Sequence, residues 1–130
     1  MKNKFSIKYL KNILETAKNK NYIFMKMSDY ISHDKDLDKK YFILRFDLDL
    51  EPKRLYPIAS LLKDLDIAYT LFVRVSGPYN FLWYPNFEVI KYASNSNSEI
   101  GLHTNHVEWS NLLSEPTEEV FFSELELLRS

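Results

Sequence analysis

The run Tyr41-Phe42-Ile43-Leu44-Arg45-Phe46-Asp47-Leu48 most constrains the fold of this chain. Six of its eight residues are apolar or aromatic, and it stands between a charged stretch at 33–40 and the helix-entry signal Pro52. So dense an apolar run is expected of a strand covered on both faces, as parallel strands are. After Pro52, a residue suited to a first helical turn, Leu55, Ile58, Ala59 and Leu62 recur at helical spacing. A second strand is expected over 68–75, ending at Ser76-Gly77-Pro78. A helix follows over 86–94, with Asn86 as cap and Phe87 and Ile90 inward. A third strand is expected over Ser98-Glu99-Ile100-Gly101-Leu102. Pro116 then opens a helix whose first turn carries Glu118 and Glu119, where acidic residues favour the dipole, and whose stripe is Phe121, Leu125 and Leu128.

Strand alternating with helix predicts parallel βαβ units, an α/β fold. Before this core, 6–19 reads as a helix with Ser6 as N-cap and Ile7, Leu10, Leu14 and Ala17 on one stripe. Tyr22, Phe24 and Met27 suggest a short strand. The chain therefore reads as one domain over 1–130, with a lead-in over 1–40 and a βαβαβα core over 41–130. Three parallel strands leave open edges, and the last helix has an apolar face wanting a partner, so the domain is expected to be C-terminally incomplete.

Composition removes several chemistries. There is no cysteine, which excludes disulfides, thiolate metal sites and cysteine nucleophiles. With only two glycines, phosphate-cradling loops that need several in a short span are excluded. Acidic and basic residues nearly balance, at net charge −1, and no basic stripe points to nucleic acid. No apolar run approaches the ~20 residues of a membrane span, and no signal peptide opens the chain, so a soluble cytoplasmic protein is the default expectation.

In parallel α/β folds functional groups gather where strands end. Asp47 and Asp49 close the first strand; His103, followed by Thr104-Asn105-His106, closes the third. Two carboxylates so close repel unless a cation lies between them. One aspartate with two imidazoles is a ligand set that leaves positions open for water and substrate, and the second aspartate can then act as general base. The competing readings are structural: an aspartate pair capping the helix at 52–64, a histidine that merely packs, and Arg45 as either an orienting group for Asp47 or an ordinary ion pair. Trp83 and Trp109 read as packing residues in preference to sugar platforms.

At these residues the sequence resembles the polysaccharide deacetylase (NodB-homology) family, in the branch whose first motif reads Arg-His-Asp-Val-Asp. Here it stands as Arg45-Phe46-Asp47-Leu48-Asp49. Tyr69-Thr70-Leu71-Phe72-Val73-Arg74-Val75 is similar to the family's second strand, and Glu99-Ile100-Gly101-Leu102-His103 to its Glu-Ile-Gly-(Leu/Asn)-His strand. The resemblance implies the first part of a distorted (β/α) barrel and removal of acetyl groups from N-acetylated sugars by C–N hydrolysis. By motif matching Asp47 would be the base, and Asp49 and His103 metal ligands; a one-turn helix after His103 would bring His106, three residues on, to the same face as a further ligand. The family's second histidine falls four residues after the first, at Val107 here, and Phe46 replaces the branch's histidine. Zinc suits this donor set, as would cobalt, nickel or iron. Family members carry further strands with a late histidine acting as general acid, so the chain alone is expected to have little activity and to need a partner: a missing C-terminal half or a second copy.

Other classes compete. Asp47-Leu48-Asp49 is similar to the opening Asp-x-Asp of haloacid-dehalogenase phosphatases, in which Asp47 would be a nucleophile, but Leu50-Glu51 replaces the expected Gly-Thr. A glycosyltransferase with a metal-binding DxD is a weaker match. A non-catalytic remnant or assembly module of a split deacetylase is the non-enzyme alternative.

Overall fold

A computed structural model describes residues 6–94 and 97–130. Helix α1 (Ile7–Asn19) is capped as expected, the Ser6 side chain accepting from the Tyr9 backbone N–H. Then come β1 (Tyr22–Met25), α2 (Met27–Ser32), β2 (Lys40–Ile43) and β3 (Arg45–Leu48). A 3-10 turn at Pro52–Arg54 leads into α3 (Leu55–Asp64), followed by β4 (Tyr69–Val73), α4 (Tyr84–Ser94), β5 (Ser98–Leu102), α5 (His106–Leu113) and α6 (Thr117–Arg129). All strand pairs among the described residues are parallel, in a two-stranded sheet β1-β2 and a three-stranded sheet β3-β4-β5. The fold is α/β, as the alternation of strand and helix predicts.

The run 41–48 is not one strand. At Leu44 the chain changes neighbour: Lys40–Ile43 pair with β1, Arg45–Leu48 pair with β4, and the Leu44 carbonyl accepts from the Thr70 N–H at 2.9 Å. Nor is it covered on both faces. No residue of β2 is fully buried, and Arg45 and Asp47 of β3 are exposed. Apolar density mimicked a buried strand because two half-strands from different sheets abut.

The core lies on one face of the three-stranded sheet. Leu48, Leu71 and Val73 meet Leu55, Ala59 and Leu62 of α3 and Val89, Ile90 and Ala93 of α4. Fully enclosing a side chain such as Leu62 or Leu71 contributes about 1.5–3 kcal/mol of transfer free energy. The lead-in joins this core, since Leu14 of α1 is fully buried within it. Asn86 is not a helix cap: α4 begins two residues earlier, and Asn86 is buried with its side-chain amide donating to the Asn80 carbonyl at 2.9 Å. Phe87, expected inward, faces outward; Val89 and Ala93 take the inner face with Ile90. With few glycines, Asn21, Asp66 and Asn97 supply the left-handed residues after α1, α3 and α4, a conformation Asn and Asp tolerate.

The opposite face of the sheet is polar. Residues in register on parallel strands share a face, so Arg45, Thr70 and Glu99 form one row and Asp47, Phe72 and Gly101 the next. Helix α2, which the sequence did not announce, covers the first row. Its early N–H groups have no intrahelical partner; that of Met27 donates to Thr70 Oγ1 at 3.0 Å and that of Ser28 to Glu99 Oε1 at 3.1 Å, and the Ser28 hydroxyl donates to Glu99 Oε2. Thr70 Oγ1 also donates to Glu99 at 2.6 Å.

Burial pushes the Glu99 carboxyl up, but these hydrogen bonds from Ser28, Thr70 and Met27 outweigh it and hold the group below its ordinary 4.5. A carboxyl depressed in the folded state stabilises above its unfolded pKa and loses that contribution as pH falls through the folded value. Urea midpoints of the wild type and Glu99→Gln should therefore differ most at neutral pH and converge as pH falls below 4.5. A gap independent of pH would show that ionisation of Glu99 does not fasten α2.

Candidate functional site

The second row and the strand ends beyond it are left open by α2. Counting one residue past the paired positions Leu48, Val73 and Leu102 places Asp49, Arg74 and His103 side by side on the same face as Asp47. The His103 N–H donates to the Val73 carbonyl at 2.8 Å, so β5 keeps its register as far as this residue. Tyr79 braces the rim from beneath. Its hydroxyl accepts from the Arg74 N–H at 2.9 Å and donates to the Leu48 carbonyl at 2.9 Å, joining the ends of β3 and β4. Burial raises the Tyr79 pKa, and the nearby negative charge of Asp49 adds to this against the Arg74 contributions. Tyr79 therefore stays a neutral donor.

The structure brings Asp49 and His103 together, with Asp49 Oδ1 3.0 Å from His103 Nδ1. The contact is not a formed hydrogen bond. His103 Nδ1 is enclosed and has no hydrogen-bond partner, although a carboxylate oxygen lies within reach. With the imidazole protonated the contact is an ion pair; a carboxylate oxygen and an imidazole nitrogen so placed are also a donor set that zinc accepts. An orphaned buried nitrogen otherwise costs about 1–3 kcal/mol.

Asp47 takes a different partner. Arg45 Nε and one terminal nitrogen reach its two oxygens at 2.7 and 3.0 Å, a bidentate clasp. The same guanidinium lies over the Phe72 ring, 4.4 Å from its centre. Both readings of Arg45, orienting group and ordinary ion pair, are compatible with this geometry. Each Asp47 oxygen keeps a lone pair that can accept from water.

His106 does not join the pair. It opens α5, its ring stands edge-on to Phe121 with centroids 5.6 Å apart, and its Nδ1 lies 3.0 Å from Thr104 Oγ1. The Thr104 hydroxyl donates its single proton to Glu124 Oε2 and accepts from the His106 backbone N–H at 3.1 Å. The His106 ring is thereby tethered to Thr104 through Nδ1. Among the described residues no three His, Cys, Asp or Glu side chains are grouped to hold one metal ion. The one-turn helix that would have set His103 and His106 on one face is absent, since α5 starts only at His106.

Three contributors went unread in the sequence. Tyr79 and Glu124 gave no local signal, because their partners are distant in the chain. Gly101 did give one: a glycine inside a strand marks a close approach, and here it makes room for the Phe72 ring. Trp83, expected to pack, is 55% exposed. Among the described residues no helix is long and apolar enough to cross a membrane.

No protein-family profile matches the chain, and no curated protein or solved structure is detectably similar to it.

Proposed function

We propose that the rim formed by β3 and β5 is the centre of a metal-dependent hydrolase of the polysaccharide deacetylase type, acting on an N-acetylated sugar. The observation that carries this reading is the unbonded 3.0 Å approach of Asp49 Oδ1 and the enclosed His103 Nδ1. Asp49 and His103 would hold a divalent cation, zinc by the character of the donors, and His106 lies apart from them. When bound, the metal would polarise an acetamide carbonyl and lower the pKa of water towards ~7.

The chain's own residues supply the rest. Asp47, held at the rim by Arg45, accepts the proton of the attacking water through its remaining lone pairs. Arg45 prevents that carboxylate from turning towards the cation, so base and ligand keep separate roles. In this reading the parallel strands belong to a distorted (β/α) barrel.

The test is calorimetric titration of the chain with zinc, cobalt and nickel, with acetate release from N-acetylglucosamine oligomers measured in parallel. Saturable binding of one equivalent, with Kd near about 1 μM, is expected for at least one metal. Absence of saturable binding for all three would remove the reading. Magnesium-dependent phosphate release from p-nitrophenyl phosphate would replace it with Asp47 as a nucleophile.

A further inference from the structure

We infer that the cavity between α5 and α6 is a binding site for a primary alkylammonium group. The cavity encloses about 170 Å³, the space of about five water molecules. Trp109 and Leu113 of α5 and Val120 and Leu127 of α6 make most of its wall apolar, and Ser76, past the end of β4, also lines it. The inference does not depend on the hydrolase reading, because neither Asp49 nor His103 lines this cavity.

Glu124 carries the argument. It is 5% exposed, and among the described residues no other Asp or Glu is buried. Its Oε2 is used, accepting from the Thr104 hydroxyl. Its Oε1 is enclosed and has no hydrogen-bond partner, and the same holds for Ser76 Oγ. Both residues line the cavity. Enclosing a polar oxygen without a partner is unfavourable, so two such atoms at one cavity call for a ligand that donates to them. No Lys, Arg or His lines the cavity, and the exposed Glu115 adds a second carboxylate. The lining therefore selects a cation.

The apolar wall decides which kind. Magnesium and calcium want six or more oxygen ligands, and Trp109, Leu113, Val120 and Leu127 offer none from their side chains. An alkylammonium uses both halves of the lining. Its three N–H groups equal in number the acceptors Glu124 Oε1, Ser76 Oγ and Ser123 Oγ, the last having committed its own proton to the Glu119 carbonyl at 2.9 Å. Its carbon chain suits Val120 and Leu127, and an indole face attracts a cation.

The probe is n-butylammonium chloride, followed by saturation-transfer NMR and by the Tm of the chain, with n-butanol, butyrate, glucosamine and magnesium chloride as controls. Saturable binding at Kd of about 1 mM is expected, with a rise in Tm as the ligand stabilises the folded state. Glu124→Gln keeps the shape and an acceptor for Thr104, and should weaken binding at least about tenfold by removing a charge-assisted hydrogen bond. Ser76→Ala deletes an atom with no partner in the fold, so its Tm should match the wild type while affinity falls about threefold. Should Glu124→Gln fail to fold, Ser76→Ala decides, and unchanged affinity in it overturns the site. Nα-acetyl-lysine amide separates two sources of the group: binding as tight as butylammonium supports a protein lysine, and weaker binding supports a free amine. Asp49→Ala should lose zinc and keep the ammonium ion, which separates this site from the metal centre. No saturable binding of butylammonium, equal binding of n-butanol, or preference for butyrate, glucosamine or magnesium would each overturn the site and leave the metal centre standing.

Discussion

Replacing either Asp49 or His103 with alanine is expected to weaken zinc binding by at least about 100-fold, near 2.7 kcal/mol. Each supplies one of the two donor atoms that approach to 3.0 Å, and a single remaining donor on an open rim holds zinc only weakly. The fold should survive. The Asp49 side chain is 53% exposed at a strand end, where substitutions cost within about 0.5 kcal/mol, and replacing His103 removes an enclosed nitrogen that has no hydrogen-bond partner to lose. Asp47→Asn should change zinc affinity by less than about threefold, because both Asp47 oxygens belong to Arg45. His106→Ala decides the ligand count. It should lower affinity by less than about threefold if Thr104 and Phe121 keep His106 apart, as for a residue that shares no partner with the ligands. If it matches His103→Ala, the Thr104 tether yields to the metal and the set has three ligands. Cobalt(II) absorption in the visible reports the ligand change directly. Equal zinc affinity in wild type, Asp49→Ala and His103→Ala would remove the centre from this rim.

Much of this arrangement could be read from the chain because it is local. Strand β5 falls where its pattern puts it, α1 carries the expected cap, and the rule that functional groups sit past strand ends led to Asp49 and His103, which do meet. What escaped depends on partners far apart in sequence. The break at Leu44 arises because β1 and β4 claim different halves of one apolar run, and nothing inside 41–48 announces it. Helix α2 is only six residues long, too short to show a period, and its first turn is satisfied by Thr70 and Glu99, more than forty residues on. His106 carries the right chemistry at strand-end position, yet the start of α5 and the proton of Thr104 decide where it points. Residue type and spacing name the candidates; hydrogen bonds from other elements select among them.

Gly101→Ala is expected to destabilise the protein by about 1–3 kcal/mol, the usual cost of overpacking. Propensity alone predicts the reverse, since alanine in place of a strand glycine recovers roughly 0.5–1 kcal/mol of backbone entropy. The clash decides the sign. A Cβ at Gly101 would lie 2.6 and 2.8 Å from two Phe72 ring carbons, well inside contact distance. The ring has little room to retreat, because β4 lies between β5 and β3, and on the β3 side Arg45 covers it while holding Asp47. Pressure applied at β5 therefore passes through Phe72 to the carboxylate clasp on β3. Phe72→Leu should relieve it: in a double-mutant cycle over Gly101→Ala and Phe72→Leu the coupling should be at least about 1 kcal/mol and favourable. Zinc affinity should stay within about threefold in Gly101→Ala, since Asp49 and His103 lie one row further along and touch neither residue through this contact. A neutral or stabilising Gly101→Ala in urea denaturation would mean that the ring moves freely, and that Phe72 does not fix Arg45 and Asp47 in place.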